Sequence, residues 1–143
     1  MINFEFEFQY AEEKQPALQK VGGSIPAGRC VVLCGGSGCG KSTLLRCING
    51  LIPQFYEGEL RGFCRLNGQD TAGMRIDEIG ELAASVFQDP RSQFFTVNSS
   101  NEVAFGLENH GLPQDKIRQR VDEAFRLFHL ERLKDRNVYE LSS

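Results

Sequence analysis

The chain has 143 residues, a formal net charge of −3, and 24% charged and 41% hydrophobic side chains, enough for one core region but not for a second large domain. Fifteen Gly and five Pro exclude a collagen repeat or a low-complexity linker, and a mildly acidic chain is poorly suited to neutralising phosphate backbones, so no nucleic-acid partner is expected. No apolar run approaches the roughly 18 residues of a membrane span, the start carries Glu5 and Glu7 in place of a basic and apolar leader, and five cysteines without a C-x-x-C pair point to a reducing, cytosolic setting.

Residues 2–8 alternate strictly, with Ile2, Phe4, Phe6 and Phe8 on one face and Asn3, Glu5 and Glu7 on the other, the pattern of a half-wet antiparallel strand. After a polar loop carrying Pro16, residues 18–25 return as a second strand weakened by Gly22 and Gly23. Cys30, Val31, Val32, Leu33 and Cys34 do not alternate, and a continuous apolar run ending at glycines suits a strand covered on both faces in a parallel sheet. From Lys41 the spacing of Leu44, Leu45 and Ile48 is helical, stopped by Asn49-Gly50. Residues 60–66 alternate again, with Arg61 and Arg65 wet, and Asn67-Gly68 is a strong hairpin signal. Ala83, Ala84, Ser85, Val86 and Phe87 read as another core strand, ended by Gln88-Asp89-Pro90, where Pro90 drives Asp89 out of the helical region. Beyond it Ser99-Ser100-Asn101-Glu102 reads as a capping box, and Ile117, Val121, Ala124, Phe125 and Phe128 recur at helical spacing. His129, between Phe128 and Leu130, reads as a helix-packing residue. The expected organisation is an α/β core with an antiparallel β subdomain over residues 1–90 and a helical subdomain over residues 91–143.

The chemistry concentrates in Gly35-Gly36-Ser37-Gly38-Cys39-Gly40-Lys41-Ser42-Thr43, which fits G-x-x-x-x-G-K-[ST] between a buried strand and an amphipathic helix. Glycines let successive N–H groups turn inward as a nest of donors, and the helix that follows adds its unpaired N–H groups and positive dipole end. Lys41 brings a mobile full charge to the β and γ phosphates of a bound nucleotide, the Ser42 hydroxyl is a hard oxygen ligand suited to Mg²⁺, and Thr43 can donate to the α phosphate. The alternative is a glycine-rich turn that merely joins strand to helix. Cys39 is open to two readings, a redox switch at a helix N-terminus or a small residue tolerated where only the backbone works.

In order along the chain, Tyr10, the glycine-rich loop, Val86-Phe87-Gln88-Asp89-Pro90 and Glu140-Leu141-Ser142-Ser143 resemble the ATP-binding subunit of an ABC transporter. The segments Asp89-Pro90-Arg91-Ser92-Gln93-Phe94-Phe95 and Asn101-Glu102-Val103-Ala104-Phe105-Gly106-Leu107-Glu108-Asn109 are most similar to the ATPase subunits of energy-coupling factor importers for cobalt and vitamins. The resemblance implies a P-loop NTPase fold, with a parallel core sheet, an antiparallel β subdomain and a helical subdomain, and binding of ATP with Mg²⁺. It implies that Tyr10 stacks on adenine, as an aromatic placed after the first strand can, the alternative being one more core aromatic. It implies that Gln88 reaches the Mg²⁺ or the attacking water and acts as a positioner, since an amide is a weak base. It places Gln93, Phe94 and Phe95 on a helix facing a transmembrane subunit, although a plain core contact is an equal alternative for these three. Leu141, Ser142 and Ser143 would open the signature motif that meets the ATP of a second ATPase subunit, with Ser143 where relatives usually have glycine. Peripheral attachment to the cytoplasmic face of the membrane follows.

In the family the Walker B strand, the water-polarising glutamate and the switch histidine lie beyond the position of Ser143. The resemblance therefore implies a chain truncated before Walker B, one that binds ATP without useful hydrolysis. It also implies that residues 30–33 lack parallel partners and show unpaired backbone groups. A soluble ABC-type ATPase acting on ribosomes or DNA, and a nonfunctional fragment, stand as alternatives.

Overall fold

A computed structural model describes residues 1–141, grouped into two compact units, one over Met1–Ser85 and one that begins at Val86. Val86 and Phe87 group with the second unit.

The first unit is built on a four-stranded antiparallel sheet of order β2-β1-β3-β4, from β1 (Ile2–Tyr10), β2 (Leu18–Ile25), β3 (Gly58–Leu66) and β4 (Gln69–Asp70). β1 is the central strand and pairs residue for residue with β3, from Ile2 opposite Leu66 to Tyr10 opposite Gly58. Its alternation decides which face is covered. Phe4, Phe6 and Phe8 are buried together with Leu18, Cys64 and Leu66, and Phe8 has no exposed surface. The β3–β4 hairpin turns at Asn67 and Gly68, whose φ values of 51° and 86° are both positive, the requirement of a tight two-residue turn that Asn-Gly meets at least cost.

On this face lies α1 (Lys41–Ile48), which contributes Leu44 and Cys47 to the core. Asn49-Gly50 ends it, as the sequence indicates, and a helical turn at Leu51–Gln54 follows with Ile52 buried. The unit closes with α3 (Ile76–Leu82), after α2 at Leu51–Gln54, and α3 buries Ile79. Sequence reading passes over α3. Its first turn is fixed locally, the Arg75 N–H donating to the Glu78 carboxylate at 2.7 Å and the Arg75 guanidinium pairing with Asp77.

Residues 30–34 and 83–87 carry no assigned strand, and among the described residues the only sheet is antiparallel. Val32 is 78% exposed and Val86 87% exposed. Val31, Val32 and Leu33 of the first run and Val86 and Phe87 of the second are therefore exposed, not parts of core strands, because no described segment offers them a ladder, while Ala83 ends α3 and packs on the first core. The unpaired backbone expected at residues 30–33 is what the structure contains.

The second unit opens with a 3₁₀ turn, Pro90–Gln93, in which the Asp89 carboxylate accepts from the Arg91 N–H at 3.1 Å. Two helices follow, α4 (Ser99–Asn109) and α5 (Gln114–Leu127), burying Ala104, Ile117, Val121 and Phe125 in a small core. The cap of α4 sits one residue earlier than the sequence suggests: Asn98 accepts from the N–H groups of Ser100 and Asn101. Phe128, read as part of the apolar stripe, lies past the end of α5 and is exposed. His129 is likewise no packing residue, since it is exposed in the left-handed conformation, with φ 56°, beyond the helix.

Candidate functional site: the glycine-rich loop at the start of α1

The loop of residues 35–40 feeds directly into α1, so the first backbone N–H groups of the helix open toward the loop. Gly40 is the hinge, with φ 91°, and a Cβ placed there would lie 2.7 Å from the Ala17 carbonyl oxygen and 3.0 Å from Leu18 Cδ2. Only glycine allows the loop to lean on the segment entering β2. Lys41 folds back over the loop, its Nζ donating to the carbonyl oxygens of Gly35 at 2.9 Å and Gly36 at 2.6 Å and reaching Cys39 Sγ at 3.5 Å. The ammonium is thereby held against the loop, where a polyanion binding there would meet it.

Ser42 is exposed in the first turn of α1. Its hydroxyl is a hard oxygen donor that fits Mg²⁺. No group of three or more His, Cys, Asp or Glu side chains able to hold a metal occurs among the described residues, so an ion here would depend on Ser42 and on oxygens of the nucleotide itself. Thr43 is buried, 7% exposed, and its hydroxyl lies 3.1 Å from Tyr10 Oη.

Tyr10 is not placed after the first strand. It is the last residue of β1, on the same face as Phe8, whose ring it meets edge-on at 4.7 Å. Its hydroxyl also accepts from Arg46 at 3.3 Å, and the Arg46 guanidinium lies 4.4 Å from the centroid of the Tyr56 ring. Arg46 and Tyr56 are the functional candidates that sequence reading missed. The signal available was the i, i+3 spacing of Thr43 and Arg46, which puts both on one face of α1. A shallow open depression beside this cluster is lined by Gln9, Tyr10, Ala11, Glu57, Gly58 and Glu59.

The structure thus brings together Tyr10, the loop, Lys41, Ser42 and Thr43. Gln88 belongs to the second unit, as an exposed residue at a bend. Gln93 ends the 3₁₀ turn, its amide donating to the Asp89 carbonyl at 3.3 Å. Phe94 and Phe95 are not helical, since the backbone becomes extended at Phe94. Phe95 is 75% exposed and stacks on Phe105 at 4.6 Å, while Phe94 meets Tyr139 edge-on at 6.2 Å. Leu141 caps the short turn Val138–Glu140, and Ser142 and Ser143 lie outside the described residues.

Comparison with known proteins decides what this loop belongs to. The sequence model of the ABC transporter family matches residues 18–143. The chain belongs to the ABC transporter family. Two putative ABC transporter ATP-binding proteins of Treponema denticola are similar to it, one 43% identical over 143 residues, covering 99% of this chain and 29% of that protein, the other 42% identical over 135 residues, covering 94% and 28%. A putative ABC transporter ATP-binding protein of Streptomyces coelicolor, SCO2324, is 39% identical over 143 residues, covering 99% of this chain and 25% of its own length. The chain spans less than a third of these curated relatives. In structure it resembles the ATP-binding cassette MJ0796, solved as a dimer in a post-hydrolysis state bound to ADP and Pi, with a TM-score of 0.71, 23% identity and coverage of 99% of this chain and 63% of that one. The fold is accordingly that of a P-loop NTPase of the ABC ATPase type. None of its described helices is long and apolar enough to cross a membrane.

Proposed function

We propose that this chain is the nucleotide-binding part of an ABC importer subunit that uses Mg-ATP to drive uptake through a membrane partner. The observation that carries the reading is the position of Lys41 Nζ across the mouth of the loop, 2.9 and 2.6 Å from two loop carbonyls. A triphosphate entering there exchanges those carbonyl acceptors for phosphate oxygens, while the N–H groups of the loop and of α1 receive the remaining negative charge. Ser42 would hold the Mg²⁺, which when bound would screen the phosphate charge. Tyr10 lies against the adenine, in keeping with the depression that opens beside it. Thr43 serves the α phosphate, from its N–H while its hydroxyl pairs with Tyr10.

In the same reading Gln88 positions the attacking water, and Gln93, Phe94 and Phe95 meet a transmembrane subunit, Phe95 being the most exposed of the three. Leu141, Ser142 and Ser143 begin the segment presented to a second ATPase subunit, in keeping with the dimer formed by MJ0796. The complex works at the cytoplasmic face of the membrane, and the motif resemblance points to cobalt or a vitamin as cargo. Calorimetric titration of the full chain with ATP tests the central claim. Magnesium-dependent binding that weakens at least tenfold in Lys41→Ala is the expected outcome, and equal affinity in the two proteins overturns it.

A further inference from the structure

The hydroxyl of Tyr10 is held by one face of α1, where it lies 3.1 Å from Thr43 Oγ1 and accepts from Arg46 Nη1 at 3.3 Å. Arg46 does more than donate. The central carbon of its guanidinium lies 4.4 Å from the centroid of the Tyr56 ring, and Tyr56 in turn meets Tyr10 edge-on, with centroids 6.5 Å apart and planes at 78°. Arg46, Tyr10 and Tyr56 thus close a three-cornered contact, each of them half-buried. A planar guanidinium can donate along its edge while its face covers a ring, and an ammonium has no such face. Tyr10 is also the last residue of β1, and the chain turns at Ala11, so this brace stands where the strand ladder stops.

We propose that Arg46 is a positioning residue for the base of the bound nucleotide, acting through the Tyr10 ring, and that it has no part in the grip on the phosphates. The inference rests on the nucleotide reading above. Its guanidinium is engaged by the two tyrosines, whereas the phosphate-facing cation, Lys41, stands at the other end of the same helix. The depression beside Tyr10 repeats this division. Its lining residues include Glu57 and Glu59 and no cation, and although Glu59 is paired with Arg61 at 2.6 Å, such a wall repels phosphate and leaves room for an uncharged base. Holding the Tyr10 ring in place before the nucleotide arrives removes an ordering cost that would otherwise fall on each binding event. The first turn of α1 then serves the phosphates, and its last turn serves the base.

The test compares Mg-ATP with magnesium tripolyphosphate, which has the phosphate chain and no base, in calorimetric titrations of the full chain. Lys41→Ala should weaken both ligands. Arg46→Ala should weaken ATP by about 3–10-fold, the size expected when one more side chain must be ordered on binding, and leave tripolyphosphate unchanged. Tyr10→Phe, which keeps the ring and removes the hydroxyl, should reproduce this selective loss. Adding Arg46→Ala to it should cost little more, because the two changes break the same hydrogen bond. A merely structural Arg46 would weaken both ligands together, and that result overturns the proposal. Full additivity of the two substitutions overturns it as well, as does ATP affinity indifferent to Arg46→Ala. Should Arg46→Ala fail to fold, Tyr10→Phe alone decides, and equal losses for the two ligands, or no loss for ATP, overturn the proposal. A parent chain that binds neither ligand overturns the nucleotide reading itself, and the role of Arg46 with it; a parent that binds both equally well overturns the role of Arg46 alone.

Discussion

At Gly40 two demands coincide, a left-handed backbone and an approach of 2.7 Å to the Ala17 carbonyl that any side chain would block. Gly40→Ala is expected to lower stability by about 1–3 kcal/mol, measured by urea unfolding, with loss of the Lys41 geometry that follows it in sequence. A variant as stable as the parent would show that the loop can be held from elsewhere. The loop was legible because its residues are contiguous and its chemistry is local. Tyr10 was only half legible, since Thr43 and Arg46 reach its hydroxyl from 33 and 36 positions away and no local pattern announces such a contact. Cys47 gives a pH signature. Burial first, then the charge of Cys64, pushes its thiol from 9.0 up to about 12. Below pH 9 neither folded nor unfolded chain ionises it and the stabilisation is fully present. Between pH 9 and 12 only the unfolded chain loses the proton, so stability should fall by up to about 1.4 kcal/mol per pH unit from this group. Cys47→Ala should flatten that alkaline slope in denaturant titrations, and an unchanged slope would assign the loss to other groups.

Among the elements, α4 shows how far a side chain can organise backbone outside its own helix. Asn98 caps the helix, while the Glu102 carboxylate reaches back to the N–H groups of Phe95 at 3.1 Å and Thr96 at 2.8 Å and to the Thr96 hydroxyl at 3.1 Å. Asn98→Ala should cost about 1 kcal/mol by chemical denaturation. Glu102→Ala, by contrast, should speed amide exchange at Phe95 and Thr96 specifically, and unchanged exchange there would mean that the segment is held without the carboxylate. The sequence reading found the acidic residue but gave the cap to Ser99, because Ser and Asn are equally good caps and only the chain's approach chooses between them. A harder limit applied to residues 30–34. Their apolar run has the composition of a core strand, but a strand also needs a neighbour, and composition says nothing of whether one is present. The outcome is Val31, Val32 and Leu33 exposed beside unpaired backbone, a template for association. Val32→Lys should therefore reduce concentration-dependent light scattering of the full chain without altering its circular dichroism.

For the molecule as a whole, the two units differ in how much apolar surface holds each together. The first joins ten buried residues across a sheet and helices; the second rests on Ala104, Ile117, Val121 and Phe125 between two helices and adjoining turns. Since apolar burial is the main term opposing chain entropy, the residues 86–143 should unfold at lower denaturant than residues 1–85. Phe8→Ala and Phe125→Ala offer a matched test, since each empties a buried phenyl position from one core only, at an expected cost of about 3–5 kcal/mol. With amide exchange read at β1 and at α5 in the same samples, Phe8→Ala should accelerate exchange in β1 and Phe125→Ala in α5, each leaving the other's protection intact. If instead both variants accelerate both elements equally, the units unfold as one cooperative body. The nucleotide loop would then draw its stability from the helical region as well, although its own residues pack on the sheet of the first unit.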